Sequence, residues 1–189
     1  MKRYDVLVVG SGPGGEKAAV QAAKLGKTVA VIERKPFIGG AGLHTGTLPS
    51  KTLRETALML ANLKQKTVYG FHSVLPRDVT LQELMHKKTE VTKSQMEVMI
   101  DQFTRNNIEV IYGDASFVDA TTLLVKKHGG ESEELKASVI VLSPGTRPVR
   151  PKEVPFDSEH IYDSDTILEL DKIPGSLTIV GGGVIGCEY

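Results

Sequence analysis

A chain of 189 residues can hold one generous domain, or one domain and the start of another. Basic and acidic residues balance at 23 each, so total charge gives no reason to expect nucleic acid or an anionic membrane as partner. No apolar stretch approaches the roughly 18 residues needed to span a bilayer, and the lone Cys187 excludes an internal disulfide and any Cys-only metal cluster.

The basic start Met1-Lys2-Arg3 is followed by an apolar run, Val6 to Val9, that is too short for a secretory signal, so a cytoplasmic location is expected. Asp5 to Val9 reads as a short buried strand running into Gly10-Ser11-Gly12-Pro13-Gly14-Gly15. Glu16 to Leu25 has helical composition, Gly26-Lys27 ends it, and Thr28 to Glu33 is a second strand. The three elements form a βαβ unit, whose strands are expected to be parallel with a right-handed crossover. A glycine-rich loop, Gly39 to Gly46, precedes a helix expected to start around Pro49 and to bury Leu53, Ala57, Leu60 and Ala61.

A third helix is predicted from about Thr80 to Arg105. Its apolar stripe is Leu81, Leu84, Met85, Val91, Met96, Met99, Ile100 and Phe103, the methionines serving as core filler. Ile108 to Tyr112 is a short strand. After Gly113 the pattern turns to strands joined by tight turns, at Ala115 to Val118, Thr121 to Lys126 and Glu134 to Leu142, with His128 a solvated turn residue. Ser143 to Pro148 breaks the last strand and a proline-dotted stretch follows. Leu177 to Val180 is read as a new strand leading into Gly181-Gly182-Gly183-Val184-Ile185-Gly186.

Gly10, Gly12 and Gly15 fit G-x-G-x-x-G in its required setting, with a strand before and a helix after. The first glycine permits the tight turn, the second lets a pyrophosphate approach the backbone, and the third allows close helix–sheet packing. The helix N-terminus offers free N–H groups and partial positive charge to phosphate. Glu33 ends the next strand, near the ~20-residue distance expected of the acid that binds a ribose hydroxyl pair. Glycines serving only a tight turn would leave Glu33 unexplained. Gly181, Gly183 and Gly186 repeat the pattern, and two such turns suggest two dinucleotides, the arrangement for passing hydride between a flavin and a nicotinamide.

The third glycine group, Gly39-Gly40-Ala41-Gly42-Leu43-His44-Thr45-Gly46-Thr47-Leu48-Pro49-Ser50-Lys51, resembles the G-G-x-C-x-x-x-G-C-x-P-S-K segment of the FAD-dependent pyridine nucleotide-disulfide oxidoreductases. Ser143 to Pro148 resembles their A-T-G-S-R-P turn, Gly113-Asp114-Ala115 their adenine-side turn, and Gly181 to Tyr189 the start of their nicotinamide domain. The resemblance covers essentially the whole chain. It implies an α/β fold: a Rossmann-like FAD-binding domain with parallel sheet and antiparallel β-meander over residues 1–150. A linker over 151–175 and the start of a truncated NAD(P)-binding domain over 176–189 would follow, beginning with its first strand.

The resemblance assigns FAD to the opening turn (Gly10, Ser11, Gly12, Pro13, Gly14, Gly15) and to Glu33 with Arg34 beside it. From the third group it adds Gly39, Gly40, Gly42, His44, Thr47 and Lys51, and further along Ala115, Ser143 and Gly145. It assigns a nicotinamide dinucleotide to Gly181, Gly183 and Gly186. The family's redox disulfide falls at Gly42 and Thr47, where there is no sulfur. One branch of the family has lost dithiol chemistry and passes hydride between NADPH and NAD+ through flavin N5. Its segment matches His44 and Thr47, whereas Gly42 departs from the cysteine that branch keeps.

His44 is either a polar loop residue or a mechanistic group. Lys51 and Glu188 resemble the family's ion pair beside the flavin, a cation that steadies the electron-rich reduced ring. Cys187 is read as a small packed residue. Three functions follow: a transhydrogenase, an NAD(P)H dehydrogenase with a quinone or other acceptor, or a non-catalytic FAD-binding fragment. The chain is expected to be incomplete and its full-length parent a homodimer.

Overall fold

The computed structural model describes residues 1–65 and 80–189. Five strands, β1 (Lys2–Val9), β2 (Val29–Glu33), β3 (Glu109–Asp119), β4 (Thr122–Lys127) and β5 (Ser132–Leu142), are hydrogen-bonded in a closed circuit in that order. The helices are α1 (Pro13–Lys24), α2 (Gly40–His44), α3 (Thr47–Gln65), α4 (Leu81–Arg105) and α5 (Val184–Glu188), with a 3-10 turn at Thr166–Glu169. The fold separates into two compact units, Met1–Leu43 with Ser94–Thr146, and His44–Lys93 with Arg147–Tyr189.

The first unit holds all five strands. β1 pairs in parallel with β2 (Val6 opposite Val29) and with β5 (Val6 opposite Val139), and β2 pairs in parallel with β3 (Ala30 opposite Glu109). β3 and β5 are long enough to serve two sheets. Their segments at Glu109–Tyr112 and Leu135–Leu142 pair with the parallel strands. Gly113–Asp119 and Ser132–Lys136 pair antiparallel with β4. The meander therefore lies over one face of the parallel sheet. Gly113 marks the crossover, since a Cβ there would lie 2.5 Å from the Lys126 carbonyl oxygen.

This arrangement explains why the opening strands read as continuous apolar runs. Successive side chains point to opposite faces, and both faces are covered. Leu7, Ala30 and Ile32 turn inward to meet Ile111, Leu123, Val125, Leu135 and Ala137. Val8, Val29 and Val31 turn outward against Ala19 and Val20 of α1 and Met99 and Phe103 of α4. Burying each of these larger aliphatic side chains contributes about 1.5–3 kcal/mol.

Several expected elements are adjusted. α1 begins at Pro13, not Glu16, because proline's fixed φ suits the first helical position. The two strands read on either side of Gly113 are one strand, β3. The loop from Gly39 contains the short helix α2, and α3 starts at Thr47, two residues before Pro49. Ala57 and Ala61 are exposed and Leu53 and Leu60 only half-buried, so the apolar face expected on α3 is not a core face among the described residues. On α4, Met99 and Phe103 are buried, whereas Ile100 is exposed. Leu177–Val180 forms no strand, because no described segment exchanges backbone hydrogen bonds with it, and Val180 is 97% exposed. Between Arg150 and Glu169, Arg150 pairs with Asp163 at 2.7 Å and stacks on Phe156. The Asp163 carboxylate also accepts the Asp165 and Thr166 amides that open the 3-10 turn.

Candidate functional site

In the first unit the C-terminal ends of β1, β2 and β5 lie side by side, since Val9 stands opposite both Ile32 and Leu142. The residues that follow, Gly10, Glu33 and Ser143, thus share one edge, the edge at which open α/β sheets bind ligands. The Gly10 amide donates to the Ile32 carbonyl at 2.8 Å and the Ser143 amide to the Val9 carbonyl at 2.8 Å. Gly10 has φ +97°, and a Cβ on it would lie 2.1 Å from the Ser143 carbonyl oxygen. A Cβ on Gly15 would lie 1.9 Å from the Gly10 carbonyl oxygen, so helix and turn meet backbone to backbone. Gly12 caps α1 and, having no side chain, gives the first-turn amides no side-chain cap.

Glu33 is 6% exposed and Ser11 fully buried. Both the amide and the hydroxyl of Ser11 donate to Glu33 Oε2, and the Lys35 amide donates to Oε1 at 2.9 Å. The Gly39 amide donates to Ser11 Oγ at 3.0 Å, Gly40 with φ +60° abuts Gly12, and Gly42 lies against Pro13. The opening turn and the start of the third glycine group are therefore one assembly. Pro13 and Gly14 are exposed there, and Arg34 is exposed with its carbonyl accepting His128 Nε2 at 2.9 Å. His128 is the exposed turn residue expected, and its ring also ties the β4–β5 turn to the exit of β2. Ala115 is half-buried on β3, and Gly145 has φ +73° in open space.

The arrangement fits the adenosine diphosphate half of a dinucleotide. It offers an uncapped helix N-terminus, bare glycine backbone where Cβ atoms would intrude, and a buried carboxylate with acceptor capacity left. Ser11 was legible only as part of the motif. Its hydroxyl tie to Glu33 had no signal beyond a polar residue in a turn of glycines.

The second unit contains the second glycine turn, built like the first. Gly181 has φ +108°, Gly183 caps α5 with an extended backbone, and a Cβ on Gly186 would lie 2.2 Å from the Gly181 carbonyl oxygen. The Ile179 side chain would be met at 3.2 Å, as Val8 would be met at 3.2 Å by a Cβ on Gly15. The local turn geometry thus forms with no sheet paired to Leu177–Val180 among the described residues. Lys51 Nζ donates to Glu188 Oε1 at 3.2 Å, and the Ser50 hydroxyl donates to the same oxygen at 3.1 Å. The lysine, then the serine, hold the Glu188 carboxyl below the ordinary carboxylate range. Ser50 was not singled out from the sequence.

The Tyr189 hydroxyl donates to the Thr45 carbonyl at 2.8 Å. His44 is half-buried and Thr47 exposed. Cys187 is exposed instead of packed, its thiol reaching only the Gly182 carbonyl at 3.5 Å. Among the described residues no helix is long and apolar enough to cross a membrane, and no cluster of side chains could hold a metal ion.

Comparison with known proteins agrees with this geometry. The chain is 43% identical over 190 residues to proteins named soluble pyridine nucleotide transhydrogenase from Mycobacterium bovis and Mycobacterium tuberculosis, covering 100% of this chain and 41% of theirs. It is 42% identical over 186 residues to that of Erwinia tasmaniensis, covering 98% of this chain and 40% of the relative. The chain thus spans about two-fifths of the length of these curated relatives. Among solved structures, the Cu(II) complex of the HOCl-induced flavoprotein disulfide reductase RclA from Escherichia coli aligns with TM-score 0.82 at 29% identity. That alignment covers 100% of this chain and 39% of the other. The α/β fold is accordingly that of a Rossmann-like FAD-binding domain with an added meander. A family model described as pyridine nucleotide-disulphide oxidoreductase matches residues 4–189, and the chain belongs to that family.

Proposed function

We propose that this chain is the front part of an FAD-dependent oxidoreductase that passes hydride between NADPH and NAD+ without a redox disulfide. Residues 1–150 would bind FAD, 151–175 would link, and 176–189 would open an NAD(P)-binding domain in a homodimeric, cytoplasmic parent. The observation that carries this reading is a well-formed dinucleotide cradle in a chain that has no sulfur at Gly42 or Thr47 and whose one cysteine is Cys187. The names of the 43%-identical relatives support the same activity.

When bound, the flavin supplies the two-electron carrier between one nicotinamide and the next. The chain's own residues do the rest. The first-turn amides of α1 bind pyrophosphate, and Glu33 accepts a ribose hydroxyl. Lys51 supplies a cation whose place is set by Glu188 and Ser50, and a preorganised charge stabilises developing negative charge more than a mobile one. The second glycine turn binds the nicotinamide dinucleotide's phosphates. None of these roles requires a thiol or a proton-transferring side chain.

An acceptor screen on the full-length gene product tests the proposal. NADPH oxidation is expected to run faster with a nicotinamide analogue than with quinones. The reverse ordering rejects transhydrogenation in favour of an NAD(P)H dehydrogenase. A protein that emerges colourless from gel filtration after incubation with FAD rejects the flavin site itself.

A further inference from the structure

We propose that Ser11 is a positioning residue that orients the Glu33 carboxylate for a nucleotide ribose, an inference that rests on the reading of the opening turn as a nucleotide site. The dinucleotide motif asks nothing of the residue between its first two glycines, because its chemistry uses backbone amides and the absence of side chains. Here that residue is a serine with 0% exposure. Its hydroxyl is used twice, donating to Glu33 Oε2 and accepting the Gly39 amide at 3.0 Å. Its own amide donates to the same Oε2 at 2.9 Å.

The consequence lies in what remains of the carboxylate. An ionised carboxylate has about four acceptor positions. The Ser11 amide and hydroxyl take those on Oε2, and the Lys35 amide takes one on Oε1 at 2.9 Å, so one position on Oε1 is left. A glutamate carboxylate free to turn would lose rotational freedom on meeting a ligand. One held by three donors, the Ser11 hydroxyl adding to one amide on each oxygen, loses less than one held by the two amides alone, which is the advantage of preorganisation. Because the same hydroxyl receives the Gly39 amide, it also ties the third glycine group to the acid.

Calorimetric titration of the 189-residue chain with ADP and with 2′,3′-dideoxyadenosine diphosphate tests this. The wild type is expected to prefer ADP by about tenfold or more, the usual effect of one charge-assisted hydrogen bond. Ser11→Ala is expected to weaken ADP binding by about tenfold. It should leave the dideoxy compound nearly unaffected, so that the preference collapses. An equal loss for both ligands overturns the proposal, because it would show Ser11 to be a packing residue of the turn. A full preference retained in Ser11→Ala overturns it too. Should Ser11→Ala fail to fold, Ser11→Cys, with a weak donor of similar shape, carries the same expectation and the same two refutations. A wild type without preference, matched by a Glu33→Gln variant that binds as the wild type does, instead removes the ribose role of Glu33 on which the inference rests.

Discussion

Gly15 and Gly129 show how differently one residue type is used in this chain. A Cβ on Gly15 would lie 1.9 Å from the Gly10 carbonyl oxygen, whereas one on Gly129 would meet nothing within 4 Å. Gly15→Ala is expected to cost about 1–3 kcal/mol, as overpacking does. Gly129→Ala should stay within about 0.5 kcal/mol of wild type in the same urea unfolding series. A second residue-scale expectation concerns Glu188, whose carboxyl is held below its ordinary value of 4.5 first by Lys51 and then by Ser50. A carboxyl lowered in the folded state stabilises it at pH above 4.5, and the contribution fades as pH falls below that value through the lowered one. Lys51→Met is expected to move the Glu188 titration, followed by carboxyl-carbon NMR, up toward 4.5. An unmoved titration would separate the two residues. Both the glycine spacing and the Lys51–Glu188 pairing were legible in the sequence, the first from the motif and the second from family resemblance. The role of Ser50 and the tie of the Ser11 hydroxyl to Glu33 were not, because a hydroxyl's partner depends on what the fold brings within 3 Å or so, which no local pattern encodes.

Among the elements, α4 is held to the first unit's core through its last turns, where Phe103 is 2% and Met99 9% exposed. Nearer its start, Leu84 is only half-buried. Phe103→Ala is expected to cost about 3–5 kcal/mol, and Leu84→Ala markedly less, in denaturant unfolding. Similar losses at the two positions would show the helix to be packed evenly along its length. The helical period predicted α4 to within a residue, since a long amphipathic stripe is a strong signal. The same period misjudged α3, where Ala57 and Ala61 are exposed. An apolar stripe states which face could be buried, and burial itself requires a neighbour.

For the whole molecule, the same requirement sets the behaviour of residues 177–189. Val180 is 97% and Val184 83% exposed, with Ile185 at 55%, an apolar group larger than scattered surface residues need. The 189-residue chain is expected to bind an apolar fluorescent dye, and the double variant Val180→Asp/Val184→Lys to bind it more weakly. Equal dye fluorescence in both proteins would place the dye elsewhere.

The opening βαβ unit, the long helix α4, both glycine turns, the acid that ends β2 and the lack of sulfur at Gly42 and Thr47 were determined by the sequence alone, because each depends on residue type and spacing along the chain. Tertiary structure decided the rest. It made β3 a single strand bending through Gly113, closed the meander over the parallel sheet, drew Ser11 and Gly39 onto Glu33, and left Leu177–Val180 unpaired. The physical reason is common to all four. Backbone and hydroxyl hydrogen bonds are satisfied by whichever groups the fold brings close; the partners formed here lie well apart along the chain, and among the described residues Leu177–Val180 has no strand partner.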